Sequence, residues 1–131
     1  MTAINLNVTI KDGSLDVDQS GNANHVPKTA GSSTITWKLI GNAHGGVFNA
    51  MNAANPGFAW KGTPPPNGIF GQAVPDSQGN MTMTDLNTNI QGASGTWVYQ
   101  LWATINGQQY STLATIPNPR ATTRDPTIVN N

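Results

Sequence analysis

Hydrophobic and polar residues alternate along much of this chain, a pattern typical of β-strands with one buried face. The first alternating segment covers residues 3–10, and its apolar positions are Ile4, Leu6, Val8 and Ile10. Asp12-Gly13 then marks a turn, because both residue types tolerate the backbone of a tight hairpin. A second strand through Leu15 and Val17 completes a predicted hairpin over residues 3–18.

Two further strands are predicted in the middle of the chain. Ile35, Trp37 and Leu39 share one face of the first, which predicts that Trp37 lies in the core. Met81 and Met83 alternate with threonines in the second. Each segment therefore has one apolar and one polar face.

The longest predicted strand carries five apolar residues on one face, which are Trp97, Tyr99, Leu101, Ala103 and Ile105. Asn106-Gly107 follows it, and this dipeptide between two strand-like segments is a strong hairpin signal. The return strand is predicted from Gln108 to about Ile116. The last segment, Thr127-Ile128-Val129, is expected to dock as an edge strand.

Residues 41–75 interrupt the alternation with repeated Gly and Pro, including Pro64-Pro65-Pro66. The segment also contains apolar residues such as Phe58 and Trp60, which are too hydrophobic to remain in water. We therefore expect a long irregular loop packed over one end of the molecule, with a helical turn or two in residues 47–54.

About seven short strands separated by turn signals predict an all-β fold, an antiparallel β-sandwich forming a single domain over residues 1–131. Trp37 on an early central strand and the segment Gly95-Thr96-Trp97-Val98-Tyr99 before a hairpin resemble immunoglobulin-like and cupredoxin-like sandwiches. The ending Asp125-Pro126-Thr127-Ile128-Val129 is similar to that of small bacterial proteins of unknown role. These resemblances imply a fold and bring no catalytic motif with them.

Charge is scarce in this chain, and its scarcity excludes several classes of partner. Charged residues make up 9% of the sequence, the formal net charge is zero, and all six acidic residues are Asp. Six scattered basic residues do not form a surface for nucleic acid or for an anionic membrane. The chain has no Cys, which excludes disulfides, thiolate catalysis and a blue-copper site.

No leader or membrane span is apparent from the sequence. Residues 1–10 have neither a basic segment nor a continuous apolar one, and no apolar stretch reaches ~18 residues. We therefore expect a cytoplasmic protein, with the reservation that a protein released by a route without a signal, or a component of a phage particle, has the same signature.

One short motif resembles the start of a calcium loop. Asp16, Asp18 and Ser20 are spaced as its first oxygen ligands, but Pro27 stands where a bidentate carboxylate is needed. The two Asp are better interpreted as the solvent face of a strand, so no metal and no cofactor are expected. No nucleophile motif or phosphate-binding loop is present, and we predict that the protein is not an enzyme.

Trp102 is the most informative candidate contact residue. Strand parity places it with Gln100 on the face opposite Tyr99, where an indole beside polar, uncharged side chains suits a sugar or a partner protein. The alternative is that Phe58 or Trp60 from the 41–75 loop packs on Trp102. These four residues are the predicted ligand or partner contacts.

The predicted edge strands form the other candidate surface. Ile4 and Leu6 near the amino end, and Ile128 and Val129 near the carboxyl end, lie on strands with few of the charged residues that normally guard sheet edges. Low charge also weakens repulsion between copies. The sequence thus favours a non-enzymatic binding or structural module that acts through self-association or a protein partner, with a lectin-like carbohydrate binder as the alternative.

Overall fold

The computed structural model describes residues 3–28, 31–87, 92–112 and 126–131. Within these residues it contains β-strands joined by turns and two short 3-10 turns. The strands are β1 (Ala3–Lys11), β2 (Ser14–Val17), β3 (His25–Val26), β4 (Ser33–Leu39), β5 (Val47–Phe48), β6 (Phe58–Lys61), β7 (Val74–Pro75), β8 (Asn80–Asp85), β9 (Gly95–Ile105), β10 (Gln108–Ser111) and β11 (Thr127–Asn130).

The strands form two sheets, which confirms the all-β, sandwich-like fold. The first sheet has the order β2-β1-β4-β8-β7. In the second, β9 is central, with β5 and β6 on one side, β10 and β11 on the other, and β3 beyond β11. Both sheets are mixed, because β1 pairs in parallel with β4 and β11 with β3. The structure therefore corrects the expectation of about seven antiparallel strands: the described residues form eleven strands, and two of the strand pairs are parallel.

Both predicted hairpins are confirmed. Asp12 and Gly13, between β1 and β2, have φ values of 53° and 80°. Asn106 and Gly107, between β9 and β10, have φ values of 52° and 76°. Positive φ at both central residues is the requirement of a type I′ turn, whose twist matches that of the flanking strands.

The core lies between the sheets and is filled by the predicted apolar faces. The first sheet contributes Leu6, Val8, Leu15, Ile35, Trp37, Leu39, Met81 and Met83. The second contributes Val26, Phe48, Phe58, Tyr99, Leu101, Ala103, Ile105 and Ile128. Trp37, at 0% exposure, is confirmed as a core residue.

The 41–75 segment is more regular than expected. It contains β5 and β6, and both pair with the same side of β9. Val47 and Phe48, predicted to begin a helical turn, form β5 instead, because their backbone completes the hydrogen bonding of β9 and Phe48 enters the core. Gly46, directly before β5, permits the close approach of this segment to β9, because a Cβ at this position would collide with the Ile105 side chain.

The carboxyl-terminal strand is not at an edge. β11 lies between β9 and β3, because the two residues of β3 pair with it on its outer side. β10 ends at Ser111, and the rest of the predicted return strand, residues 113–116, lies outside the described residues, as does Asp125. In the part of the chain that the structure describes, no helix has the length and apolarity needed to cross a membrane.

Candidate binding surface around Trp102

The four predicted contact residues fall on opposite faces of the second sheet. In the β6/β9 register, Phe58 lies opposite Leu101 and Trp60 opposite Tyr99, so both point to the core face. Gln100 and Trp102 have the other parity and lie on the opposite face, where Gln100 is buried at 9% exposure and Trp102 is half-buried. The alternative interpretation, in which Phe58 or Trp60 packs on Trp102, is therefore wrong, because these side chains lie on the other face of the sheet.

Phe58 and Trp60 belong to a continuous aromatic cluster on the core side. Its members are Trp37, Phe58, Trp60, Phe70, Trp97 and Tyr99. Phe58 stacks on Tyr99 with 5.2 Å between ring centroids, and Trp60 meets Phe58 edge-on at 4.9 Å. Such offset and edge-to-face pairs stabilise a core beyond simple burial. Packing within this cluster accounts for the position of Phe58 and Trp60 on the core side of the sheet.

Trp102 is half-buried on the outer face and is fixed there through its backbone. Its N–H donates to the carbonyl of Gly57 at 3.2 Å, and its carbonyl accepts from the N–H of Asn49 at 3.1 Å. Gly57 is required at this position, because a Cβ would collide with the main-chain oxygen of Asn49. The loop between β5 and β6 is thereby held against the strand that carries the indole.

Amide and hydroxyl side chains form a hydrogen-bonded group beside Trp102. Thr104 donates its hydroxyl to Asn49 Oδ1 at 2.8 Å. Asn49 Nδ2 donates to the carbonyl of Asn55 at 2.9 Å and to Gln109 Oε1 at 3.2 Å. Asn55 Nδ2 also reaches Gln109 Oε1, at 3.3 Å. Three chain segments thus meet in one polar group, and we call this surface the Trp102 face: Asn49, Asn55, Gln100, Trp102, Thr104 and Gln109.

The Trp102 face carries no ionisable side chain, as its six residues show. Among the described residues of β5, β6, β9 and β10 that point outward, Lys61 is charged, and it lies opposite Val98 towards the other end of β9. Hydrogen bonding on the face therefore depends on neutral donors and acceptors. Such groups suit a ligand that is itself polar and uncharged.

Part of this surface follows from the sequence. Parity predicted Trp102, Gln100 and Thr104 together, and the Asn106-Gly107 turn also fixes Gln109 opposite Thr104. Asn49 and Asn55 were missed, because their place depends on how the β5/β6 segment pairs with β9. No local pattern predicts that long-range register.

The predicted self-association residues differ in their positions. Ile4 is half-buried and Leu6 is buried, with both side chains on the core face of β1. Ile128 is buried and Val129 half-buried within β11, which has a neighbouring strand on each side. Among the described strands, the amino-terminal half of β1, and not β11, is therefore an edge of this kind.

Asp18 and Ser20, two of the residues that resemble the start of a calcium loop, form a local turn. Asp18 Oδ1 accepts from the N–H of Ser20 at 3.0 Å and from its hydroxyl at 2.6 Å. The hydrogen bond from the Ser20 hydroxyl, and to a smaller extent the one from the Ser20 N–H, hold the pKa of Asp18 below its usual value. Asp16 lies in β2 opposite Thr9. Among the described residues, no three His, Cys, Asp or Glu come together in a metal-binding group.

Comparison with known proteins gives no family for this chain. No family model matches the sequence, and no curated protein matches it significantly.

Proposed function

We propose that this protein is a non-enzymatic binding module that recognises a carbohydrate through the Trp102 face. The observation that carries the proposal is the half-buried indole of Trp102 beside a preorganised group of neutral amides and a hydroxyl. A sugar ring presents an apolar face of C–H groups and a rim of hydroxyls. An aromatic ring next to neutral hydrogen-bonding side chains complements both parts.

The hydrogen bonds within the face reduce the cost of binding. Asn49 is held by Thr104, Asn55 and Gln109, so its amide is already oriented before a ligand arrives. Side chains fixed in advance lose less conformational entropy on association. The exposed Gln109 is placed at the rim, where its amide is accessible to ligand hydroxyls.

The chemistry of the face also supports binding without turnover. Cleavage of a glycosidic bond requires a pair of carboxyl groups in most known mechanisms. The six residues of the Trp102 face include none.

Two tryptophans on β9 provide a matched test. Trp102 and Trp97 are both half-buried, but they lie on opposite faces of the strand. The purified protein would be applied to an array of neutral oligosaccharides, and the strongest binder titrated by fluorescence. We expect Trp102→Ala to weaken binding by about tenfold or more, or ~1.4 kcal/mol, and Trp97→Ala to bind as the wild type does. Absence of binding to every oligosaccharide, or undiminished binding by Trp102→Ala, would refute the proposal.

A second candidate function, self-association, is supported by the register of β1. β2 pairs with β1 from Val8 to Lys11, and the last hydrogen bond on that side joins the Asp18 N–H to the Asn7 carbonyl. Alternation directs the backbone groups of Asn5 to the same side, where no described strand pairs with them. A second copy of the chain could add a strand at this position.

This second candidate predicts an oligomer at micromolar concentration. Light scattering would measure the mass of the wild type and of Asn5→Pro, which removes the N–H that faces the open side. Asn5→Gln is the control, because it keeps this N–H and the polarity of the side chain. We expect association in the wild type and the control and a monomer in Asn5→Pro; a monomeric wild type refutes it.

A further inference from the structure

A buried carboxyl group lies where the two sheets meet. Asp85 ends β8 and is 0% exposed, and its pairing partner on β4 is Ser33, which is also fully buried. Strand alternation explains the position, since Asp85 follows Met81 and Met83 on the core face. A buried carboxylate normally requires a cation or several hydrogen-bond donors.

Asn130 of β11 provides the contact of Asp85 with the second sheet. Its Nδ2 donates to Asp85 Oδ1 at 3.0 Å and to the carbonyl of Ala93 at 2.9 Å. Two donated bonds use both hydrogens of the amide. The side chain is thereby held between β8 and the segment that precedes β9.

Two oxygens of this pair have no hydrogen-bond partner in the part of the chain that the structure describes. The hydroxyl of Ser33, opposite Asp85 on β4, is likewise buried and makes no hydrogen bond to the carboxyl group. The two oxygens are Asp85 Oδ2 and Asn130 Oδ1, and both are buried. Each is an acceptor when Asp85 is ionised, so neither can satisfy the other. One proton on Asp85 Oδ2 changes this, because the resulting O–H is a donor and the amide oxygen of Asn130 is the acceptor it needs.

Among the residues that the structure describes, the elements packed against Asp85 provide no compensating positive charge. On β4 the charged side chain is Lys38, which is exposed and points to the outer face. On β3 the titratable side chain is His25, opposite Val129 and with the parity opposite to buried Val26. In the described part of β11 and at Phe70, which bridges to Asp85, there is no charged group. Burial consequently raises the pKa of Asp85 from 3.8 to about 6, although the hydrogen bond from Asn130 opposes the shift.

We propose that Asp85 is held as a neutral acid whose Oδ2–H donates to Asn130 Oδ1, and that this acid–amide pair is a proton-controlled latch between β8 and β11. When the proton passes to solvent water, the carboxylate oxygen and the amide oxygen face each other without a hydrogen between them. Because two acceptor oxygens repel each other, the ionised pair then favours a conformation in which β11 has separated from β8 and water hydrates Asp85.

Release of β11 would also loosen β3. The N–H of Val129 donates to the Asn24 carbonyl and that of Asn131 to the Val26 carbonyl, both at 3.1 Å. Asn87 Nδ2 bridges the same two segments, at 2.8 Å from the Val26 oxygen and 3.2 Å from that of Asn131. Separation of β11 from the sheet therefore exposes the side of β9 that β11 covers, so that β9 becomes an edge strand there.

Hydrogen exchange of the Tyr99 amide, which donates to the Pro126 carbonyl at 3.0 Å across the β9/β11 pair, tests the latch directly. After correction for the intrinsic pH dependence of exchange, we expect opening in the wild type to increase on the order of tenfold from pH 5 to pH 8. In Asp85→Asn, whose neutral amide donates to Asn130 at every pH, opening should not change with pH. His25→Gln and Asp76→Asn are controls for other titrating groups, and they should retain the wild-type response.

The wild-type protein provides a second test of the latch. NMR titration of the Asp85 side-chain carboxyl in the wild type should give a pKa well above 3.8, with the chemical shifts of Asn130 changing over the same pH range. An ordinary carboxyl pKa for Asp85, or a wild-type exchange profile without pH dependence, would overturn the latch. Loss of the response in His25→Gln would assign it to the histidine and overturn it equally.

Discussion

The indole N–H of Trp37 donates a 2.9 Å hydrogen bond to the hydroxyl oxygen of Tyr99, joining β4 of one sheet to β9 of the other. Both side chains are 0% exposed, and their rings meet nearly edge-on with centroids 5.5 Å apart. Burial, partly offset by the bond from Trp37, raises the pKa of Tyr99, so its hydroxyl stays neutral over the working pH range. One bond thus satisfies the polar group of a Trp in the centre of the core.

Replacing Tyr99 by Phe should destabilise the protein by about 1–3 kcal/mol, because the Trp37 N–H is left buried without a partner. Chemical denaturation gives the free energy of unfolding. Tyr110→Phe is the matched control, since its hydroxyl makes a 3.3 Å contact with Gln108 at the surface and should matter little. Equal effects of the two variants would contradict this account.

Stability should decrease as pH rises from about 4 to about 6. The pKa of Asp85 is raised on folding, from 3.8 to about 6, so the folded state binds more protons than the unfolded state in this window. The contribution of protonated Asp85 to the free energy of unfolding is fully present below about pH 4. As pH rises through about 6 this contribution is lost, and the loss amounts to at most about 3 kcal/mol. Asp85→Asn should remove this component from a series of denaturation curves, and should be more stable than the wild type at pH 7.

The sign of this dependence is opposite to that of the exposed acids. Hydrogen bonds from the backbone of Asn80 and Gln78 lower the pKa of Asp76, so that residue favours the folded state at higher pH. Asp76→Asn should therefore leave the decrease between pH 4 and 6 in place. A profile that rises through this window in the wild type and is unchanged in Asp85→Asn would be inconsistent with a buried neutral acid.

Gly57→Ala should disturb the Trp102 face more than the core. The added methyl would collide with the main-chain oxygen of Asn49 and would separate that residue from β9. We expect weaker oligosaccharide binding together with a modest loss of stability, about 1–3 kcal/mol. Gly62→Ala tests a positive-φ glycine with open space around it, and should cost stability without affecting binding.

Gly107→Ala should be destabilising by about 1 kcal/mol, since the residue has a φ of 76° in the β9/β10 turn and nothing crowds its Cβ position. Asn106→Gly should be nearly neutral, because glycine accepts the same backbone region. Thermal unfolding distinguishes the two variants. A cost for Asn106→Gly as large as that for Gly107→Ala would indicate a role for the Asn106 side chain beyond its backbone conformation.

The parts of the fold that the sequence predicts are those governed by neighbouring residues. Alternation placed Tyr99 and Leu101 in the core and Trp102 on the other face, and the Asn-Gly and Asp-Gly turns fixed both hairpins. The same alternation carries Asp85 to the buried face after Met83, which was a usable signal for the inter-sheet carboxyl.

The parts that it missed depend on distant pairing. The alternative in which Phe58 or Trp60 of the 41–75 segment packs on Trp102 depends on the register of β6, which turns both side chains to the core face. β11 was expected at an edge because the chain resumes there after several prolines, whereas β3 pairs outside it. Registers of this kind are set by the burial of whole faces, and a short segment contains little of that information.

The central position of β9 has a consequence for how the chain folds. Its hairpin with β10 is local, but its pairs with β5, β6 and β11 join residues that are tens of positions apart in the sequence. The β1/β4 pair is also parallel and distant, so loop entropy must be lost before these contacts form. The β9/β10 hairpin is then the natural nucleus, and the refolding time should fall in the range of roughly milliseconds to seconds typical of all-β domains.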